Sequence, residues 1–242
     1  MIQDKTHVFL QDCMEGMKQF PDKHFDLAIV DPPYGIGEDG RKSASRSGFV
    51  NQKNGSRIFV SADKYPVKNW DSEKPNSDYF KELFRVSKNQ IIWGANHFGN
   101  LSPAACWIVW DKCNEGTDQA DCELAWTSFN TAVRVFRFMW SGMMQGSLSN
   151  GRIMEGNKKL NEKRIHPTQK PVQLYRWLLK NYANPGDKIL DTHLGSGSSR
   201  IAAYDMGFDF TGYEIDPDYF AAQEKRFNQF KAQTRLFDYA EA

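Results

Sequence analysis

Apolar residues along the chain gather into short runs that are typical of buried β-strands. Six runs have this character, and they lie at residues 25–30, 90–94, 105–110, 123–129, 188–190 and 208–213. Apolar residues instead recur every three or four positions, as on one face of an amphipathic helix, at residues 77–86, 172–182 and 217–230. Strands that alternate with helices predict an α/β fold whose mostly parallel sheet is covered on both faces.

Two stretches show neither pattern. Residues 35–70 are rich in Gly, Ser, Lys and Asn, and residues 130–165 carry four scattered glycines. Loops of this length inside a compact domain are usually functional or mobile. We therefore predict a single domain over residues 1–242, with a mobile loop at about 36–70 and an inserted region at about 130–165.

Hydrophobic residues make up 40% of the 242-residue chain and charged residues 25%, which is typical of a folded globular domain. The net charge of +1 does not by itself indicate a nucleic-acid partner. Basic residues are nevertheless concentrated, because residues 41–57 hold five and no acidic residue, and residues 130–170 hold eight against two acidic ones. Such runs often form solvated surfaces, so the charge pattern alone leaves the function open.

The composition argues against a membrane protein and a zinc protein. The longest apolar run, residues 104–110, is far shorter than a membrane span. No basic-then-apolar signal segment opens the chain, which predicts a cytoplasmic protein. The cysteines include no C-x-x-C pair, so we expect free thiols and no bound metal. They are Cys13, Cys106, Cys113 and Cys122.

The run at residues 25–30 is followed directly by Asp31-Pro32-Pro33-Tyr34. An acidic side chain at the carboxyl end of a buried strand lies where α/β sheets place their ligand chemistry. The two prolines fix consecutive φ angles and remove two backbone donors, which leaves carbonyl oxygens as acceptors. An Asp-Pro pair alone is common in turns, but the buried strand, the second proline and the tyrosine together indicate a functional site.

A glycine-rich loop follows the run at residues 188–190 and reads Asp-Thr-His-Leu-Gly-Ser-Gly over residues 191–197. Its glycines let the backbone approach a ligand closely, and the helical stretch at residues 200–206 offers free N–H groups at its start. Glu214 follows Gly197 by 17 residues, close to the offset of about 20 at which an acid binds ribose hydroxyls in nucleotide-binding units. The arrangement predicts a nucleoside-type cofactor.

Together the two sites resemble the amino-methyltransferases that modify adenine N6 or cytosine N4 in DNA. Asp31–Tyr34 resembles the catalytic motif of that family, and residues 191–197 resemble its S-adenosylmethionine motif. Because the catalytic motif comes first, the order resembles the circularly permuted, beta-class group. The likeness extends over nearly the whole chain and implies a Rossmann-like, doubly wound methyltransferase sheet. For both sites to open onto one cleft, strand 188–190 must lie beside strand 25–30 at the sheet centre.

The resemblance also implies which residues bind the cofactor. Residues 12 and 13 match the segment that contacts the adenine of S-adenosylmethionine, and the His-Pro-Thr-Gln-Lys-Pro segment at residues 166–171 matches the element that holds its methionine part. The implied set is Asp12, Cys13, Asp31, His166, Thr168, Gln169, Lys170, Asp191, His193, Gly195, Ser196, Gly197, Glu214 and Asp216. His193 stands where the family usually has Phe, which leaves weaker or pH-sensitive cofactor binding open.

The chemistry of amino methylation suits the Asp-Pro-Pro-Tyr turn. An adenine amino nitrogen is a poor nucleophile, because its lone pair is delocalised into the ring. The Asp31 carboxylate and the Pro32 carbonyl can accept its two N–H groups and stabilise developing positive charge, in a turn stiffened by Pro33. The target base must be flipped out of the duplex, and we expect Tyr34 to stack on it.

Double-stranded DNA is accordingly the expected partner. The basic runs are predicted to contact phosphates, and residues 130–165 lie where the family keeps target recognition. Trp126 is predicted as a second wall of the base pocket, with a role as a core tryptophan as its alternative. The residues predicted to bind DNA are Arg41, Lys42, Arg46, Trp126, Arg152, Lys158 and Lys159.

Other functions remain open at the sequence level. Methylation of cytosine N4, or of RNA, would use the same two sites. A DNA-binding homologue that has lost catalysis is a second alternative. A nucleotide-dependent dehydrogenase is a third, although Arg200 stands where its motif has a third glycine. The sequence also leaves open a homodimer and a partner restriction endonuclease.

Overall fold

The computed structural model describes residues 3–38, 48–51, 55–60, 65–115, 120–141, 144–147 and 161–240. The strands are β1 (Thr6–Leu10), β2 (Phe25–Val30), β3 (Gly48–Asn51), β4 (Arg57–Val60), β5 (Ser87–Trp93), β6 (Trp107–Asp111), β7 (Cys122–Thr127), β8 (Arg134–Ser141), β9 (Met144–Ser147), β10 (Lys188–Asp191) and β11 (Asp209–Glu214). The helices are α1 (Cys13–Met17), α2 (Ser77–Val86), α3 (Val172–Tyr182), α4 (Ser198–Asp205) and α5 (Pro217–Ala240).

Nine strands form one sheet in the order β1-β11-β10-β2-β5-β7-β6-β8-β9, and β3 and β4 form a separate antiparallel hairpin. The strands from β1 to β5 in that order are all parallel, whereas β7 runs antiparallel to both of its neighbours. β10 pairs with β2 through Ile189 opposite Leu27 and Leu190 opposite Ala28. The predicted adjacency of the two motif-bearing strands is therefore confirmed.

Both faces of the sheet are covered, because side chains alternate between the faces along each strand. On β2, Leu27 and Ile29 join the apolar cluster that includes α3, α4 and the Phe227 ring of α5. Ala28 and Val30 join the opposite cluster with α1 and α2. Burial of each large apolar side chain stabilises the fold by about 1.5–3 kcal/mol. The doubly wound α/β fold is confirmed.

The predicted bounds of α2 and α3 agree with the structure at both ends. Helix α2 begins at an Asn76 cap, whose side chain accepts hydrogen bonds from the amides of Asp78 and Tyr79. The sequence prediction did not include β1 and α1. Both are only five residues long, and most side chains of β1 are exposed at the sheet edge, so neither shows a clear apolar pattern.

The first part of the predicted inserted region, residues 130–165, contains regular secondary structure. Strands β8 and β9 lie there, and β8 extends the main sheet by pairing in parallel with β6. Trp140 is buried in the main core, with Phe136 and Phe138 packed against it. These residues therefore belong to the main core of the domain. Residues 148–160 of the predicted region lie outside the described residues. Within the described ranges, none of the helices combines the length and apolar content needed to cross a membrane.

Candidate functional site

A cavity of about 520 Å³ opens where β2, β10 and β11 reach their carboxyl ends. Eleven of the fourteen residues predicted to bind cofactor line it, namely Asp12, Cys13, Asp31, His166, Thr168, Gln169, Lys170, His193, Gly195, Ser196 and Glu214. The prediction did not include a second set of lining residues, which are Gln11, Trp70, Glu73, Tyr175, Thr192, Leu194, Tyr213, Ile215 and Tyr219. Most of the second set lie in or near segments that already contain predicted cofactor-binding residues. Trp70 and Glu73, in contrast, come from a segment without any sequence motif.

The three remaining predicted residues, Asp191, Gly197 and Asp216, are not part of the cavity wall but support the segments that form it. Asp191 is buried and accepts hydrogen bonds from the His193 amide and the Ser199 hydroxyl, at 3.0 and 2.5 Å. Burial raises the pKa of Asp191 to about 7. Gly197 begins α4 with a φ of +71°. Asp216 accepts from the first amides of α5. In the structure these three residues support the loops that form the cavity wall, and their contact with cofactor stays a prediction.

The glycine-rich loop presents backbone to the cavity. Gly195 has a φ of +51°, which favours glycine, and its N–H donates to Glu214 Oε2 at 2.8 Å. Glu214 Oε1 accepts from the Asp216 amide at 2.8 Å. Burial raises the pKa of Glu214. Each carboxylate oxygen has two lone pairs, so Glu214 retains acceptor capacity for hydroxyl groups of a ligand in the cavity.

A buried charge cluster surrounds Asp31. Its Oδ1 accepts from the Tyr34 hydroxyl at 2.6 Å, and its Oδ2 lies 2.5 Å from Lys170 Nζ. Lys170 also lies 3.0 Å from Glu123 Oε2, and Lys112 Nζ lies 2.6 Å from Glu123 Oε1. The alternation of positive and negative groups offsets part of the desolvation cost of burying them.

The pKa values in this cluster follow from burial opposed by charge. Burial raises the pKa of Asp31, and the nearby Lys170 ammonium only partly offsets this. Burial also acts to raise the pKa of Glu123, but Lys170 and Lys112 outweigh it and lower that pKa to about 2. For Lys170, burial acts to lower the pKa, and the two carboxylates raise it above its ordinary value. Lys170 and Glu123 are therefore ionised at neutral pH.

The ring of Tyr34 is packed in the resting structure. It stacks on His97 with ring centroids 5.1 Å apart and an interplanar angle of 14°, and Phe98 meets it edge-on. It also covers Gly94, where an added Cβ would lie 2.0 Å from the ring. Pro33 lines the cavity and Pro32 is buried. Stacking of Tyr34 on a flipped base stays a prediction.

The two histidines of the cavity are neutral at physiological pH. Burial lowers the pKa of His193 to about 4 and that of His166 to about 3. His193 Nδ1 lies 2.9 Å from the Thr192 hydroxyl, and its ring meets Tyr79 edge-on. A pH-sensitive cofactor interaction through His193 is thus not expected near neutrality.

The structure places Trp126 in the core and corrects its predicted contact with DNA. Only 6% of the side chain is exposed, its indole N–H donates to the Ser102 carbonyl at 2.7 Å, and Phe84 packs edge-on against it. It belongs to the apolar cluster beneath α2 and is not part of the cavity wall. The other residues predicted to bind DNA lie outside the described residues, and they are Arg41, Lys42, Arg46, Arg152, Lys158 and Lys159.

The cavity combines groups that suit a charged nucleoside. One end carries the Asp31–Lys170 pair, and the other carries the Glu214 carboxylate beside the exposed backbone of the glycine-rich loop. Tyr213 and Ile215 supply apolar surface. Among the residues that the structure describes, no group of three or more His, Cys, Asp or Glu side chains is arranged as metal ligands.

Comparisons with known proteins agree with this arrangement. A profile of the N6/N4 DNA methylase family matches residues 106–225. The chain is 24% identical to the type II methyltransferase M.HinfI of Haemophilus influenzae, over 91% of this chain and 67% of that protein. It is 26% identical to the DNA adenine methyltransferase YhdJ of Escherichia coli strain K12, over 86% of this chain and 78% of that protein.

Two solved structures share the fold. The crystal structure of an M1.HpyAVI–SAM complex superposes with a TM-score of 0.53 at 19% identity, covering 91% of this chain and 99% of that one. The cytosine-N4-specific PvuII DNA methyltransferase superposes with a TM-score of 0.52 at 14% identity, covering 93% of this chain and 91% of that one. At these identities the likeness concerns the fold alone.

Proposed function

Because the chain belongs to the N6/N4 DNA methylase family, we propose that it transfers a methyl group from S-adenosylmethionine to adenine N6 in double-stranded DNA. The observation that carries the proposal is the pairing of β10 with β2. This pairing brings the glycine-rich loop and Asp31 onto one cavity, although 160 residues separate Asp31 from Asp191 in the chain. A methyl donor and an amino group can meet only in such a shared cavity.

The residues of the cavity fit S-adenosylmethionine. Glu214 has acceptor capacity for the ribose hydroxyls, and Gly195 and Ser196 offer close backbone approach. Asp12, Cys13, His166 and Thr168 line the same cavity. The first two are proposed to contact the adenine and the other two the methionine part. When bound, the cofactor supplies a methyl group activated by a sulfonium. Its direct ligands are proposed from this set.

The chain itself prepares the amino group. The Asp31 carboxylate and the Pro32 carbonyl accept its two N–H groups, which favours a pyramidal nitrogen with an available lone pair. Lys170, whose Nζ lies 2.5 Å from Asp31 Oδ2, favours the anionic carboxylate and partly offsets the rise in pKa that burial causes, so that negative charge faces the nitrogen as positive charge develops there. The target amino group takes the place of the Tyr34 hydroxyl at Asp31 Oδ1.

Adenine is favoured over cytosine as the target. The turn reads Asp-Pro-Pro-Tyr, and YhdJ, which matches most of this chain, is named as an adenine methyltransferase. The cytosine-N4-specific relative shares only the fold. Methylation of cytosine N4 is therefore the second candidate, and the same experiment tests both.

DNA contacts and assembly complete the proposal. The single domain over residues 1–242 would hold DNA by phosphate contacts from Arg41, Lys42, Arg46, Arg152, Lys158 and Lys159. Residues 130–165 are proposed to contribute target recognition. A homodimer is tested by molecular mass in solution, and a restriction endonuclease partner by co-purification from the source cell. The cytoplasm is the proposed site of action.

The decisive experiment incubates the protein with isotopically labelled S-adenosylmethionine and mixed-sequence double-stranded DNA, then analyses the nucleosides by mass spectrometry. Label in N6-methyladenine is the expected result. Label in N4-methylcytosine would show that the target is cytosine and not adenine. Absence of label from every nucleoside, with the folded protein still binding DNA, would contradict methyl transfer and favour a binding protein.

A further inference from the structure

Residues 65–74, which we call the strap, have no motif and fall mostly within the predicted mobile loop. The structure places them across the cavity, between the catalytic turn at residues 31–38 and the loop that follows β11. The strap contains Asp71, one of the most buried charged residues in the described part of the chain, with 2% of its surface exposed. A buried carboxylate in an irregular segment needs several hydrogen bonds to offset its desolvation.

Asp71 obtains these hydrogen bonds from the backbone of the catalytic turn. Its Oδ1 accepts from the amides of Tyr34 and Gly35 at 2.7 and 2.8 Å, and its Oδ2 accepts from the amide of Glu38 at 2.7 Å. The Asp71 carbonyl accepts from the Gly37 amide at 3.2 Å. One residue of the strap therefore binds four amides of the turn that begins with Asp31.

The strap supports the Tyr34 ring from a second direction. Lys74 Nζ donates to the His97 carbonyl at 2.9 Å, and the His97 ring stacks on Tyr34. Lys74 also packs against Gly35, where an added Cβ would lie 2.9 Å from the lysine side chain. Backbone and ring of Tyr34 are thus both held by contacts that originate in the strap.

The other end of the strap contacts the cofactor side of the cavity. Lys68 Nζ lies 2.9 Å from Asp216 Oδ2 and 2.6 Å from Asp218 Oδ2, at the start of α5. Trp70 lines the cavity, and its ring centroid lies 5.0 Å from that of His166. A ligand in the cavity would therefore touch the strap directly at Trp70.

We infer that the strap is a positioning element that links the cofactor cavity to the catalytic turn. Asp71 sets the position of Tyr34 and Gly35 for methyl transfer, and cofactor seated against Trp70 restrains the strap, with the Lys68–Asp216 ion pair as its anchor. Asp71 acts through the backbone of the turn and touches no reacting atom. The inference rests on the proposed methyl transfer, because it assigns the strap to the same site.

The first test compares Asp71→Ala with Asp71→Asn in single-turnover methyl transfer at saturating S-adenosylmethionine. Misplacement of reacting groups by about 1 Å can cost about 100-fold in rate, and a loss of this order is expected for Asp71→Ala. Asp71→Asn should recover about tenfold, because its amide oxygen can replace Oδ1 and accept from Tyr34 and Gly35. Calorimetric cofactor affinity should change far less than the rate in both variants.

Equal rates for wild type and Asp71→Ala would overturn the positioning role, and so would an Asp71→Asn variant no faster than Asp71→Ala. If Asp71→Ala does not fold, the comparison of wild type with Asp71→Asn still tests the positioning role. A positioning role predicts a lower rate of methyl transfer with little change in cofactor affinity, whereas a merely structural role would not separate the rate from the affinity.

The second test addresses the link and needs no methyl transfer. Hydrogen exchange of the Tyr34 and Gly35 amides should slow by about fivefold when S-adenosylmethionine alone is added to wild type. Lys68→Met should abolish this protection at cofactor saturation. Lys81→Met is the matched control, because Lys81 forms an exposed ion pair with Asp78 within α2 and should leave the protection intact.

Equal protection in wild type and Lys68→Met would overturn the link. A wild type that binds cofactor and shows the protection but methylates no DNA would contradict the proposed function while leaving the link standing. The two failures are therefore distinguishable.

Discussion

The cofactor loop and the catalytic turn lie on adjacent strands but are held in place in different ways. The loop at residues 191–197 is positioned mainly through its own backbone: its glycines have positive φ, and its amides donate hydrogen bonds to the Tyr213 carbonyl and to the nearby Glu214 carboxylate. The turn that begins with Asp31 is positioned by side chains from distant elements, namely Lys170, Asp71 and the Lys170 partner Glu123. Substitutions in the turn should therefore affect chemistry, and those in the loop should affect binding.

The largest expected effect is that of Asp31→Ala on methyl transfer. Removal of one preorganised group at developing charge typically costs about 10²–10³ in rate, and a loss of this size is expected. Affinity for DNA should survive, because phosphate contacts lie elsewhere. Single-turnover transfer and a DNA-binding titration measure the two quantities, with the exposed Asp78→Ala as control. Undiminished methyl transfer by Asp31→Ala at saturating cofactor would contradict the proposed role of Asp31 as acceptor for the target amino group.

Lys170→Met should shift the pH dependence of methyl transfer. Burial already raises the pKa of Asp31, and loss of the Lys170 charge removes the main opposing influence, so that pKa rises further. Because ionised Asp31 is the active acceptor, the acidic limb of the rate profile should move to higher pH. Each unit of this movement slows transfer about tenfold at a pH below the limb, and raising the pH restores part of the rate.

The measurement is a pH–rate profile of Lys170→Met beside that of Lys112→Met. Lys112 pairs with Glu123 and not with Asp31, so its shift should be the smaller one. Superimposable profiles for Lys170→Met and wild type would mean that the ammonium does not control the ionisation of Asp31.

Gly197→Val tests whether the backbone of the glycine-rich loop positions the cofactor. Gly197 has a φ of +71°, and an added Cβ would lie 3.1 Å from the Gln223 side chain. Strain of about 1–3 kcal/mol at this position should displace the loop and weaken S-adenosylmethionine binding by about tenfold or more. Transfer at saturating cofactor should fall much less than in Asp31→Ala.

Gly207→Val is the matched control, because Gly207 has a similar φ of +76° but no atom within 4 Å of the added Cβ and no place in the cavity wall. Calorimetric titration should show near-normal cofactor affinity for this variant. Equal weakening in both glycine variants would indicate general strain and not a local effect on the loop.

The smallest expected effect is that of His193→Phe, which restores the residue usual in the family. The pKa of His193 is about 4, so the imidazole is already neutral and its replacement removes no charge. The Thr192 hydroxyl keeps its 2.7 Å contact with the Tyr79 hydroxyl. Cofactor affinity should change by less than about tenfold, the scale of one neutral hydrogen bond. A pH-dependent affinity near neutrality that disappears in His193→Phe would show that the imidazole titrates there.

Local sequence patterns predict the α/β fold, most of the strands and the bounds of α2 and α3, because apolar runs make buried strands and three-to-four-residue spacing makes helices. The eleven predicted residues of the cavity wall came from the family resemblance that the two motifs carry. The adjacency of β10 and β2 was also predictable, because two motifs that serve one reaction must open onto one cleft.

The supports of the catalytic turn are recognisable only in the folded protein. Asp71 lies in a segment without periodicity, and nothing in its neighbourhood along the chain indicates that it binds the amides of Tyr34 and Gly35. Glu123 reaches Lys170 from a strand that the sequence marks only as apolar. The sequence also could not decide whether Trp126 lies in the core or in the pocket, because an aromatic residue at a strand end has the same local pattern in both places. Such contacts depend on which side chains the packed elements bring together, and that is a property of the whole fold.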